Sequence, residues 1–126
     1  MTELRQLYKC EICGNVVEIV QEGAPALVCC DQKMDKLEPK TVDEGNEKHV
    51  PVIEKSNGKV LIKVGDVPHP MQDNHYIKFI EVLTDDRVLR VELEPDSEPE
   101  AEFDISKEKI NEVREFCTVH DLWKSE

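Results

Sequence analysis

In the second half of the chain apolar residues alternate with polar ones instead of recurring every three or four positions, a pattern that predicts strands. Leu89, Val91 and Leu93 are interleaved with Arg90 and Glu92, as in a strand with one buried face. Residues 50–55 and 59–64 are rich in β-branched side chains and flank Ser56-Asn57-Gly58. Asn-Gly between such runs predicts a tight hairpin, because both residues accept a positive φ. Residues 77–83 and 87–93 flank Thr84-Asp85-Asp86 in the same manner. Residues 107–117 fit two periods at once: Ile110, Val113 and Phe116-Cys117 have helical spacing, whereas Ile110, Glu112, Arg114 and Phe116 have that of a strand. Periodicity leaves both open there. The architecture predicted beyond the first third of the chain is a compact antiparallel sandwich or barrel.

Two polar stretches break the pattern. Residues 35–46 contain Pro39 and Gly45 and no sustained apolar repeat, which predicts a connector; the boundary is placed at Leu37-Glu38, giving units 1–37 and 38–126. Residues 92–102 carry carboxylates at Glu92, Glu94, Asp96, Glu98, Glu100 and Glu102, with Pro95 and Pro99 among them, and are predicted to form a solvated loop.

Length sharpens this division. A chain of 126 residues makes one ordinary domain or two very small ones, and units below about 40 residues usually need a metal, disulfides or oligomerisation. No run approaches the roughly 20 apolar residues of a membrane span, and the first residues lack the apolar core and small-residue cleavage site of a secretory signal. The expected location is the cytoplasm. A formal net charge of -12 argues against a nucleic-acid partner. It also means that an enzyme using an anionic substrate must place local positive charge beside its reaction centre.

The cysteines supply the candidate chemistry. Five thiols in a reducing compartment do not read as a disulfide framework, and an odd number cannot pair completely within one chain. Cys10-Glu11-Ile12-Cys13 lets two thiolates converge on one ion, followed by Gly14 for the turn, and Cys29-Cys30 offers two more sulfurs. Four thiolates suit zinc or iron equally, and the adjacent second pair departs from the two-residue spacing of a zinc ribbon. A redox dithiol is a third reading, but it uses only one of the two pairs. The remaining metal-type residues are His49, His69, His75, Cys117 and His120. Taken singly, each has an ordinary explanation as a surface or core residue. Their contexts favour ligation: His49 precedes Val50-Pro51, His69 lies between Pro68 and Pro70, His75 precedes a predicted strand, and Cys117-Thr118-Val119-His120 is a Cys-x-x-His step.

The segments Glu47-Lys48-His49-Val50-Pro51, Val67-Pro68-His69-Pro70-Met71 running on to His75-Tyr76-Ile77, and Cys117-Thr118-Val119-His120-Asp121-Leu122-Trp123 resemble the three ligand segments of superoxide reductases. Tyr8-Lys9-Cys10-Glu11-Ile12-Cys13-Gly14-Asn15 with Leu27-Val28-Cys29-Cys30 resembles the desulforedoxin-like domain that the two-iron subclass, the desulfoferrodoxins, carries in front. The likeness covers nearly the whole chain and uses all five cysteines and all four histidines. It departs at the last motif, where family members often have Cys-Asn-x-His-Gly and this chain has Thr118 and Asp121.

What the resemblance implies is specific. The fold is all-β: a small desulforedoxin-like, rubredoxin-type metal domain over 1–37, then an immunoglobulin-like β-sandwich over 38–126, with 110–117 a strand. The implied cofactors are two iron ions per chain, one held by Cys10, Cys13, Cys29 and Cys30. The catalytic one is held by the imidazoles of His49, His69, His75 and His120 in a plane with the Cys117 thiolate axial, leaving one position open. The implied reaction is one-electron reduction of superoxide to hydrogen peroxide, with Lys48 attracting the anion and Glu47 occupying the open position of the oxidised iron. A rubredoxin-type donor and a homodimer are the implied partners. The sequence leaves two rivals open: a non-catalytic electron-transfer or metal-binding module, and an oxygen- or peroxide-activating non-haem enzyme.

Overall fold

The structure is a computed structural model and describes residues 2–23, 26–41, 49–65 and 69–125. Among these the chain is all-β apart from one 3₁₀ turn at Lys107–Lys109. It divides into two compact units, Met1–Glu38 and Pro39–Glu126.

The first unit has five short strands, β1 (Leu7–Lys9), β2 (Val16–Glu18), β3 (Val28–Cys29), β4 (Gln32–Lys33) and β5 (Asp35–Lys36). Strand β1 lies between β2 and β5, and β3 pairs with β4 as a separate hairpin. Its buried apolar side chains are Leu7, Cys10 and Ile19, a small core for a unit of this size. The hairpin turn joins the paired residues Cys29 and Gln32 through Cys30 and Asp31, at φ 53° and 59°. Both lie in the left-handed region, as a type I′ turn demands, although neither is the Asn or Gly that adopts it most readily. The beginning of the predicted connector is therefore ordered: Asp35 and Lys36 pair with Lys9 and Tyr8.

The second unit is a seven-stranded antiparallel sandwich of immunoglobulin-like build. Its strands are β6 (Pro51–Ser56), β7 (Lys59–Val64), β8 (Ile77–Leu83), β9 (Val88–Glu92), β10 (Glu100–Phe103), β11 (Glu112–Cys117) and β12 (Asp121–Lys124). One sheet has the order β10-β7-β6 and the other β12-β11-β8-β9. Val60, Ile62 and Val64 of β7 meet Ile77, Ile80 and Val82 of β8, with Val113, Cys117, Ala101 and Phe103 completing the core. Asn57 and Gly58, at φ 46° and 80°, form the expected two-residue turn between Ser56 and Lys59. The second hairpin turns at Asp85-Asp86, within the predicted stretch, with the Thr84 amide donating to the Arg87 carbonyl at 3.0 Å and β9 beginning one residue later than the pattern predicts, at Val88.

One expectation is overturned. The carboxylate-rich stretch is not a loop throughout, since its last residues form β10 against β7. Ala101 and Phe103 are buried while the carboxylate of Glu102 reaches Lys59 at 3.6 Å, and Glu100 stands opposite Lys63. The acidic residues there are the outward half of an amphipathic strand, matched to lysines on its neighbour. The ambiguous stretch resolves as a 3₁₀ turn followed by strand β11.

On the face of the four-stranded sheet turned away from this core, Arg90, Glu81 and Arg114 stand side by side on β9, β8 and β11. Glu81 is fully buried and Arg114 nearly so; Arg114 Nε donates to Glu81 Oε1 at 2.6 Å, and Arg90 reaches Oε2 at 3.4 Å. Removing one partner of a buried pair strands the other charge. Glu81→Ala is therefore expected to cost about 3–5 kcal/mol of unfolding free energy, measured by urea denaturation, with Glu81→Gln losing less.

Candidate metal centres

The sandwich brings the ends of four strands to one rim. His49 lies two residues before β6, His75 two residues before β8, Cys117 ends β11, and His120 lies in the turn between β11 and β12. Ile77 at the start of β8 pairs with Cys117 at the end of β11, so these termini share one edge, and a register shift between Phe116 and Cys117 re-aims the sulfur. His75 is fixed by a tight turn in which Gln72 and His75 exchange backbone hydrogen bonds of 2.9 and 3.0 Å. Thr118 ties the last turn to the same segment, its hydroxyl accepting from the Tyr76 amide at 3.1 Å and its own amide donating to the Tyr76 carbonyl.

The result is a cluster of five donor atoms, one each from His49, His69, His75, Cys117 and His120, all within 4.8 Å of one another. His49 Nε2 stands 3.1 Å from both His69 Nε2 and His120 Nδ1; Cys117 Sγ is 3.5 Å from His69 Nε2 and 3.8 Å from His120 Nδ1. Two nitrogens bound about 2.1 Å from one ion at a right angle would stand about 3 Å apart, which these spacings match. His69 Nδ1 donates to the Pro70 carbonyl at 2.7 Å, which leaves the Nε2 lone pair directed into the cluster. His49, His69 and Cys117 are buried, His75 is half-buried and His120 is exposed, so the cluster opens to solvent on one side.

Burial pushes the His69 imidazole down to about 4; the carbonyl bond opposes this, and the neighbouring histidines add to it. Burial likewise raises the Cys117 thiol, against the pull of the Val119 and His120 amides that point at its sulfur. Neutral imidazoles with buried lone pairs beside a thiol that needs a counter-charge are the chemistry of a transition-metal site, and the donor set fits iron.

A second cluster lies in the first unit. The sulfurs of Cys10, Cys13, Cys29 and Cys30 are all within 4.8 Å of one another, with Cys13 and Cys29 3.5 Å apart and Cys29 and Cys30 3.9 Å apart. Tetrahedral ligation at about 2.3 Å would put sulfurs about 3.8 Å apart. Cys10 is buried; the amides of Cys13 and Ile12 turn toward its sulfur and bring its thiol down to about 6. Hydrogen bonding to Cys13 and Cys10 pushes Cys29 up to about 12. The group thus resists gathering further negative charge unless a cation neutralises it. Gly14, at φ 84°, closes the first turn by donating to the Cys10 carbonyl at 2.8 Å.

Glu47 and Lys48 lie outside the described residues. Two residues of the last motif make contacts that the sequence does not reveal. Trp123 stacks on the His49 ring, with centroids 4.6 Å apart, and Thr118 pins the turn; a tryptophan three residues past His120 was the only visible hint of the first. Asp121 stands at φ 65°, a conformation that explains a preference for glycine at this position of the turn.

Two outcomes follow from this geometry. His69 is neutral in the folded chain down to about pH 4 and would protonate near 6.5 when unfolded, so its stabilising contribution is complete above 6.5. Metal-free protein should lose up to about 3 kcal/mol from this group as pH falls from 6.5 toward 4, and urea unfolding at several pH values should show a flatter profile for His69→Gln. At Asp121 a β-branched residue is poorly accommodated. Asp121→Val should cost about 1–2 kcal/mol and Asp121→Asn less than about 0.5 kcal/mol in the same assay.

Comparison with known proteins agrees with this architecture. Residues 41–126 match the family model for desulfoferrodoxin, and residues 2–37 match that for the desulfoferrodoxin N-terminal domain. The chain is 52% identical over 125 residues to a desulfoferrodoxin homolog of Archaeoglobus fulgidus, covering 99% of each. It is 49% identical over 126 residues to a desulfoferrodoxin of Desulfarculus baarsii, covering 100% of this chain and 99% of the relative. Among solved structures, the superoxide reductase from Treponema pallidum superposes with a TM-score of 0.78 at 29% identity, over 96% of this chain and 97% of that one. With both units matched and the relatives aligned end to end, the chain belongs to the desulfoferrodoxin family.

Proposed function

We propose that the chain reduces superoxide to hydrogen peroxide at an iron held by His49, His69, His75, His120 and Cys117. The observation that carries this reading is the convergence of four imidazoles and one thiol on a single point at the rim, open on the His120 side. Five protein donors leave a six-coordinate ion one position short, which distinguishes the site from a closed electron carrier. It also differs from the two-histidine, one-carboxylate arrangement of oxygen-activating sites, since among the described residues four imidazoles and a thiol converge and no carboxylate does.

An iron bound there would supply the single electron by alternating between ferrous and ferric states, and the Cys117 thiolate would increase its tendency to give it up. The chain's own residues do the rest. His69, held by the Pro70 carbonyl, keeps its lone pair directed inward, and the amides of Val119 and His120 stabilise the sulfur as a thiolate. Lys48 supplies the local positive charge that a protein of net charge -12 needs in order to draw in an anion, and its ammonium stabilises the charge that develops as the product forms. The Glu47 carboxylate covers the open side between turnovers. Each superoxide takes one electron and two protons, the protons entering from the solvent side.

The Cys10, Cys13, Cys29 and Cys30 cluster, in a desulforedoxin-like domain over 1–37, holds the second iron; the catalytic domain is 38–126. A rubredoxin-type protein returns the electron, the protein works in the cytoplasm, and the small first unit joins that of a second copy in a homodimer. The described residues contain no helix long and apolar enough to cross a membrane.

Metal analysis of protein purified anaerobically should give two irons per chain, and zinc alone at both centres would overturn the reading. In pulse-radiolysis or stopped-flow assays, Lys48→Ala should lower the second-order rate constant for superoxide about tenfold and weaken its dependence on ionic strength. A carrier without this activity would be indifferent to the substitution.

A further inference from the structure

Lys40, eighty residues before His120 in the chain, ends up directly on the turn that carries it. The backbone of Lys40 runs parallel to β12: its amide donates to the Leu122 carbonyl at 3.0 Å, and its carbonyl accepts from the Lys124 amide at 2.9 Å, bracketing Trp123. The side chain then turns back across the indole, with Nζ 5.0 Å from the ring centroid, and donates to the His120 carbonyl at 3.1 Å. The same carbonyl accepts from Trp123 Nε1 at 3.0 Å. A carbonyl oxygen has two lone pairs, and these two donors engage both. Trp123 is buried, and its ring stacks on His49 with an interplanar angle of 17°. One indole therefore stacks on the imidazole of His49 and holds the peptide carbonyl of His120, two residues 71 apart in the chain.

We propose that Lys40 and Trp123 form a positioning clamp for the four-histidine centre, coupling the orientation of His120 to that of His49. The inference rests on the reading of this cluster as an iron site, but it concerns residues outside the set of five donors. His120 sits in an exposed turn that leaves through a left-handed residue, Asp121, so the peptide carrying it has little packing of its own. Two hydrogen bonds to its carbonyl fix that peptide plane and with it the direction of the imidazole. The ammonium has a further effect: a fixed positive charge over the indole and beside the ligand peptide favours the reduced, more electron-rich form of the centre. Lys40 adds to the positive charge near the rim without being one of the donor residues.

The test uses the full-length iron-loaded protein and reads the centre directly. Iron release to a chelator is followed through the thiolate-to-iron charge-transfer band of the oxidised centre, alongside urea unfolding of the metal-free chain. Lys40→Gln should release iron about tenfold faster and shift that band, with an unchanged unfolding midpoint, and Lys40→Arg should restore both. Trp123→Phe keeps an aromatic ring over His49 and loses the N–H; combined with Lys40→Gln it should give less than the product of the two single effects, because both act through one carbonyl. Release rate and band position in Lys40→Gln indistinguishable from those of the wild-type chain would overturn the clamp. Failure of the wild-type chain to hold iron at this centre would instead overturn the iron reading itself.

Discussion

Everything at the rim of the sandwich follows from one electrostatic constraint: five electron-rich atoms are held within 4.8 Å of each other. Lone pairs pointed at a common centre repel unless a proton or a cation lies between them, and on the buried side, around His49, His69 and Cys117, water cannot relieve the conflict. A flexible chain would turn those side chains outward. The two sheets prevent this by fixing where their strands begin and end, and the apolar packing of Val60, Ile62, Ile80, Val82 and Val113 provides the stiffness. The cluster is thus preorganised by a core that contributes only Cys117 to the chemistry.

The same backbone device serves both clusters. Cys10 and Cys117 each open a three-bond turn in which the amides two and three residues later point at the sulfur: Ile12 and Cys13 in one case, Val119 and His120 in the other. Such a turn concentrates partial positive charge on a thiolate without any charged side chain. What closes the turn differs. Gly14 takes φ 84° after the first, whereas Asp121 takes φ 65° after the second. In the hairpin of the first unit, Cys30 and Asp31 accept left-handed backbone so that two consecutive cysteines can face one point. The adjacent spacing that looks distorted in the sequence is the natural consequence of placing one cysteine at the end of a strand and the next in a type I′ turn.

Much of this is legible in the amino-acid sequence. The Asn57-Gly58 turn, the strands around it, the 77–83 strand and the segregation of cysteines from histidines each have a local physical cause that one sequence displays. The rest depends on distant partners. Strand β10 was hidden because its outward carboxylates dominate the composition, and only the lysines of β7 reveal that Ala101 and Phe103 are its inward half. The row of Arg90, Glu81 and Arg114, with Glu81 and Arg114 buried, is invisible in a pattern that reads each charge as solvated. Lys40 carries no local signal at all: its role is created by a backbone pairing with β12 across most of the chain.

Cys117 differs from the histidines in one respect that bears on how such a protein can change over time. It is fully buried and belongs to the apolar cluster between the sheets, whereas His49, His69, His75 and His120 sit outside the strands in loops and turns. Mutational drift is therefore sorted by location. Insertions and substitutions in the loops perturb the imidazoles and leave the sulfur in place, while repacking of Val113 or Ile77 is felt first at the sulfur. The sulfur and the imidazoles of the cluster can be adjusted by separate sets of substitutions, a division of labour that lets one scaffold alter either without rebuilding the other.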